Sequence, residues 1–249
     1  MYSQIKTLLF ALAASPLVAA HGKIAVVTGD AGGNGTALGI QGAVVPGPGP
    51  NYKTEVDTTV FWSKDIATDD DIGFTESGSG NNQLTDLTKS MALSGSTLPQ
   101  VTSGGSVSGT YHVVTDDGCG PVEALIDESA SAKWSTATKA TVSTDMPGTA
   151  GECPTSLDSG NDNKIKRMAT RALVKMGLIS KRANNVNKDY SFSIAIPAGT
   201  SCTGTIGDQS NLCLVKMSNN NANGPFGGVY AVQMGGNATT RRVMRAFQV

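Results

Sequence analysis

Short runs in which apolar and polar residues alternate recur along this chain, and most are closed by glycine, proline or asparagine. A period of two sends successive side chains to opposite faces of a strand, so the pattern favours paired β-strands with one buried face. In Gly105–Thr115, Tyr111 and Val113 share one face while Thr110, His112 and Val114 share the other. In Tyr190–Ile196, Phe192, Ile194 and Ile196 oppose Ser191, Ser193 and Ala195. Lys23–Val27, Val56–Trp62, Leu212–Lys216 and Gly228–Met234 read as further strands. Between them lie turn-rich stretches such as Val45-Pro46-Gly47-Pro48-Gly49-Pro50 and Ser77–Asn82. Many short strands without an internal repeat predict an all-β chain, a β-sandwich with long loops.

One segment has another period. From Lys164 to Lys181, Ile165, Met168, Ala169, Ala172, Leu173 and Met176 recur at helical spacing, with Lys164, Arg167, Arg171 and Lys175 opposite them. Asn161 or Asn163 can cap its start and Gly177 can end it. The expectation is one inserted amphipathic helix lying on the sandwich by its apolar face. Lys181-Arg182 has the form of a dibasic processing site.

The first twenty residues carry one basic residue, Lys6, then an apolar run too short to span a bilayer, ending in Val18-Ala19-Ala20. Small residues at the third and first positions before a cut are what signal peptidase requires, so cleavage after Ala20 is expected to leave His21 first. The predicted organisation is a signal peptide at 1–20, one domain at 21–234 and a flexible tail at 235–249. No later run of about 18 apolar residues occurs, so no membrane span is expected. A net charge of -1 gives no pull toward nucleic acid. In an oxidising compartment Cys119, Cys153, Cys202 and Cys213 suggest two disulfides. Cys119–Cys153 with Cys202–Cys213 is the favoured pairing, because each closes a shorter loop. No C-x-x-C pair points to a cysteine metal site. Asn34-Gly35-Thr36 and Asn237-Ala238-Thr239 are glycosylation sequons.

The chain has two histidines, His21 and His112. Cleavage before His21 would set a free α-amine beside its imidazole, and those two nitrogens can chelate one metal ion. The imidazole of His112 opposite would complete a T-shaped set of three nitrogens, a histidine brace. Tetragonal nitrogen ligation suits Cu(II), the tightest-binding first-row divalent ion, so one copper ion is the expected cofactor. Two hydrolytic alternatives are weaker. Asp116 and Asp117 are adjacent strand residues on this reading and would face opposite ways, and no G-x-S-x-G elbow supports a serine hydrolase.

His21-Gly22 and the passage from Tyr111-His112-Val113-Val114 into Asp116-Asp117-Gly118-Cys119-Gly120-Pro121 resemble the two histidine segments of fungal lytic polysaccharide monooxygenases. A broader resemblance covers most of the chain. His21-Gly22, Glu55-Val56-Asp57-Thr58-Thr59-Val60-Phe61, Asp117–Pro121, Cys213-Leu214-Val215 and Gly224-Pro225-Phe226-Gly227-Gly228 occur in this order. Together they are similar to the Egh-like, appressorium-specific virulence proteins of pathogenic fungi. That resemblance implies a secreted fungal protein made during host penetration, or one retained within the infection structure. The monooxygenase resemblance implies an immunoglobulin-like β-sandwich and oxidative attack on a cell-wall polysaccharide; the chain is expected to act as a monomer. The alternative is a non-enzymatic wall-associated effector, or a copper-binding protein without turnover. Besides His21 and His112, the resemblance implies an axial aromatic at the metal, with Phe226 the candidate and Tyr230 its competitor. Gln233 is a candidate outer hydrogen-bonding partner. Cysteines of the relatives are replaced here by Met217 and Val229, which reads as the loss of one disulfide as a unit.

Overall fold

Strand by strand, the alternation is realised as antiparallel pairing. The computed structural model describes residues 21–42, 57–75, 77, 80–154 and 185–235. The expected signal peptide, the helix at 164–181 with Lys181-Arg182, the Val45–Pro50 turn, the Asn237 sequon and nearly all of the tail lie outside the described residues. The strands are β1 (Gly22–Gly29), β2 (Gly32–Gly35), β3 (Thr59–Val60), β4 (Phe74–Thr75), β5 (Gly80–Asn81), β6 (Gln100–Val101) and β7 (Ser106–Thr115). They continue with β8 (Val122–Asp127), β9 (Thr138–Thr144), β10 (Asn185–Ala195), β11 (Gly204–Ile206), β12 (Gln209–Asn219) and β13 (Phe226–Met234). A single short helix, α1 (Leu87–Ser94), is described. Gln83 and Asp86 cap the turn that leads into it, and Gly95 closes it at a φ of 115°.

The strands form one curled sheet in the order β2-β1-β7-β10-β9-β8-β12-β13-β3-β4-β5, with β11 on β12 and β6 parallel to β13. The curl turns at β9. Its first residues, Thr138–Ala140, pair with β8, while Thr141, Val142 and Thr144 pair with β10. The two halves thereby enclose a common core. Ile24, Tyr111, Val113, Phe192 and Ile194 come from one half, and Val122, Ile126, Val215, Met217 and Tyr230 from the other.

The β8–β12–β13 half is also covered on its outer face. There Leu125, Leu212, Leu214 and Val229 meet Leu38, Phe61, Leu87 and Trp134. Burial on both faces explains why β8, Val-Glu-Ala-Leu-Ile-Asp, lacks the alternation that marks a strand in sequence. It also puts Lys216 in an apolar layer. Its Nζ donates to Asp71 Oδ1 at 2.8 Å and lies 4.6 Å from the ring centre of Phe61 and 5.3 Å from that of Trp134. Burial pulls the Lys216 ammonium below its ordinary range, opposed by the carboxylates of Asp71, Asp69 and Asp70. Both expected disulfides, Cys119–Cys153 and Cys202–Cys213, are formed.

The turn after β8 is organised by one carboxylate. Asp127 accepts hydrogen bonds from the amides of Ser129, Ser131 and Lys133 and from the Ser129 hydroxyl, while Ala130 and Ala132 sit at φ of 52° and 61°. Burial pushes this carboxyl up, but the bonds from Ser129, Ser131 and Lys133 outweigh it and hold it below its ordinary value. A carboxylate more acidic folded than unfolded contributes stability that is full above about pH 4 and lost as pH falls through the folded value. Asp127→Ala should therefore cost about 1–3 kcal/mol near neutrality, because three amides lose their acceptor. Thermal melts at pH 6 and pH 3 check this: the gap between wild type and variant should narrow in acid.

Candidate functional site

The site lies where the chain bends into β1. The His21 carbonyl accepts the amides of Val114 and Thr115 at 3.1 and 3.4 Å, extending the β1–β7 pairing by one residue. Two glycines make this approach passable. A β-carbon on Gly22 would overlap the Tyr111 ring and hydroxyl, and one on Gly118 would overlap the His21 carbonyl. The His-Gly and Asp-Gly pairs of the sequence are thus close-contact requirements of one locus.

The His21 ring is fixed on its edge and on its face. Its Nδ1 lies 2.7 Å from Asp117 Oδ1, and the Phe226 ring stacks on it with centroids 3.7 Å apart and planes 12° from parallel. The Thr115 hydroxyl donates to the same Asp117 oxygen at 2.6 Å. Burial raises the Asp117 carboxyl, but the hydrogen bond and charge of His21, with the Thr115 hydroxyl, outweigh it, so the group stays below the ordinary carboxylate range. An ionised carboxylate only accepts, so Nδ1–H of His21 is the donor.

His112 sits on the β7 face opposite Tyr111 and Val113, paired in register with Lys23 of β1 and Asp189 of β10. Its Nδ1 lies 2.6 Å from Asp189 Oδ1, a contact that takes a donor on Nδ1 and in the neutral ring puts the lone pair on Nε2. That Nε2 is buried and has no hydrogen-bond partner. A ring nitrogen anchored on a carboxylate with its other nitrogen free is the arrangement of a metal-ligating histidine. Each imidazole has its own carboxylate partner. Among the described residues no three His, Cys, Asp or Glu side chains gather around a common point.

The other sequence candidates separate cleanly in space. Phe226 is brought onto His21, whereas Tyr230 lies in the core with its ring 6.5 Å from that of Phe192. Gln233 is seven residues farther along β13, about 23 Å from Phe226 at strand rise, where it bonds Gln100 and Ser210. Asp116 and Asp117 follow the end of β7 in a turn and are not strand neighbours; the Asp117 carboxylate is taken by His21 and Thr115. Sequence reasoning missed Asp189 as the partner of His112 and Asp117 as the partner of His21. The signal for Asp189 exists only once β10 is paired with β7 in register.

A profile of the family described as Egh16-like virulence factor matches residues 19–227, a span that includes His21, His112, Asp117 and Phe226. The chain belongs to the Egh16-like virulence factor family. It is 33% identical over 245 residues to the appressoria-specific virulence factor GAS1 of Pyricularia oryzae, covering 97% of this chain and 83% of that protein. It is 27% identical over 135 residues to the appressoria-specific virulence factor GAS2 of the same fungus, covering 54% of this chain and 37% of that protein. No solved structure matches it. In this Egh16-like chain the positions read as one lost disulfide do not face each other. Met217 points into the core between the two halves and Val229 into the outer layer, so cysteines there would not bond to one another.

Proposed function

We propose that this Egh16-like protein is a secreted fungal virulence factor of host penetration that binds one copper ion through His21 and His112 and uses it to oxidise a cell-wall polysaccharide. The observation that carries the copper assignment is the buried, unpartnered Nε2 of His112, with Nδ1 tied to Asp189. His21 would add its α-amine, available only after cleavage, and Nδ1, which would exchange its proton for the ion. Asp117 would then be a fixed negative charge at the edge of the centre, and Phe226 would cover the His21 ring. When bound, copper supplies the one-electron and oxygen chemistry that side chains lack. The curled sheet with a core between its halves supports an immunoglobulin-like β-sandwich of the monooxygenase kind.

Trp62 supports a glycan as the partner. It is 67% exposed, the one aromatic among the exposed large hydrophobics of the described residues, and it follows Phe61, whose amide bonds the carbonyl of Pro225 beside Phe226. Processed protein with Cu(II), a reductant and insoluble chitin or β-glucan should release oxidised oligosaccharides detectable by mass spectrometry. Trp62→Ala should remain bound to the solid less well while melting as wild type does. A second reading, a wall-associated effector or copper carrier without turnover, is favoured by the hold of Asp117 on His21 Nδ1. Copper binding without any oxidised product would establish it.

A further inference from the structure

The two residues that fix the His21 ring arrive on separate turns, and those turns meet at one side chain. Asn219, the last residue of β12, is 2% exposed. Its Nδ2 donates to the carbonyls of Asp117 at 3.2 Å and Cys119 at 2.9 Å. Its Oδ1 accepts from the amides of Asn221 at 3.2 Å and Phe226 at 3.0 Å. A side-chain amide has two donors and one oxygen with two lone pairs, so all four places are filled. The assignment of its nitrogen and oxygen is forced, since a flip would oppose donors to amides and the oxygen to carbonyls. Asparagine alone among side chains of this length has both halves.

We infer that Asn219 is the positioning residue of the His21 centre. It sets the Asp117 turn against the edge of the imidazole and the Phe226 turn against its face, so ring tilt and rotation are fixed from a residue whose hydrogen bonds go to the backbone of those turns and to neither ring. The inference rests on His21 as a copper-binding residue, and its test separates the two. With two histidines in the chain, the imidazole NMR spectrum of isotope-labelled, metal-free, processed protein contains two sets of signals.

In wild type the stacked Phe226 ring should shift the His21 ring protons upfield. In Asn219→Ala that upfield displacement should vanish while the His112 signals stay in place, and Cu(II) affinity should fall about tenfold or more, as for other outer-sphere positioning groups. Asn219→Asp is the milder variant. It keeps the acceptor toward Phe226 and loses both donors, so the ring-current shift should persist while the Nδ1 signal of His21 moves. Variants that melt earlier but leave the His21 shifts and copper affinity unchanged would overturn the inference and make Asn219 a loop staple. Wild-type protein that takes up no copper would overturn the metal assignment instead, with the metal-free shifts still deciding the role of Asn219.

Discussion

Protein that begins at His21 should bind one equivalent of Cu(II), and protein that retains even Ala20 ahead of it should lose most of that affinity. An amide nitrogen between Ala20 and His21 is a poor ligand at neutral pH, whereas a free α-amine is a good one, so cleavage converts two imidazoles into three nitrogens. Because ligand binding stabilises the fold by an amount set by free ion over Kd, an ion at 100 times Kd adds about 2.7 kcal/mol, which a melt reads directly. His112→Ala should leave the metal-free melting temperature within a few degrees of wild type, as roughly 1 kcal/mol shifts a domain of this size by about 2–4 °C. The copper-induced rise should nearly disappear. Tyr111 and Val113 still hold the strand in the core, and the lost bond is to Asp189, whose side chain is 67% exposed. Equal copper shifts in the Ala20-extended and processed proteins would sink the brace. A full shift in His112→Ala would move the metal elsewhere.

Replacing Cys119 and Cys153 together with serine should lower stability by roughly 2–5 kcal/mol and the melting temperature by on the order of 10 °C. The bridge closes 34 residues, against 11 for Cys202–Cys213, and the larger loop regains more conformational freedom when it opens. It also anchors the turn that carries Asp117. The Cys119 amide bonds the Gly151 carbonyl, the Cys153 amide bonds the Asp116 carbonyl, and the Cys119 carbonyl is one of the two that Asn219 holds. Copper affinity should therefore fall along with stability. The matching Cys202/Cys213 double variant should lose less stability and keep its copper response, because Cys213 lies along β12 near Leu212 and Leu214, far from the Asp117 turn. Paired melts with and without Cu(II) compare the two bridges. Equal loss of copper response in both would show that global loosening, rather than the anchoring of one turn, is what weakens the centre.

What could be read from the residues follows the physics of each element. β7 and β10 alternate because one face is core, so Tyr111, Val113, Phe192 and Ile194 were identifiable at once. β8 escaped because both its faces are covered, and β9 because its exposed threonines and lysine do not look like a buried edge. α1 has eight residues with only Leu87 and Ser90 buried, too little for a helical period to register. At the site, His21, His112 and Phe226 were visible as rare residue types in distinctive company. Their partners were not, since Asp189 is 77 residues from His112 and Asn219 is 102 from Asp117. Long-range hydrogen bonds leave no local mark. That Met217 and Val229 take opposite faces of paired strands was equally hidden, because the face a strand residue takes relative to another strand depends on their register.

The described sheet stops at β2 on one side and β5 on the other, and these end strands are Gly-Gly-Asn-Gly and Gly-Asn. Neither offers another chain a long, flat, apolar template of unpaired amides and carbonyls. An exposed strand edge is where copies of a β protein can join edge to edge into insoluble arrays. These two ends are short and almost without side chains, which makes them poor starting points for such growth. Four glycine-rich residues at one end and two at the other thus leave little there for a neighbouring copy to pair with.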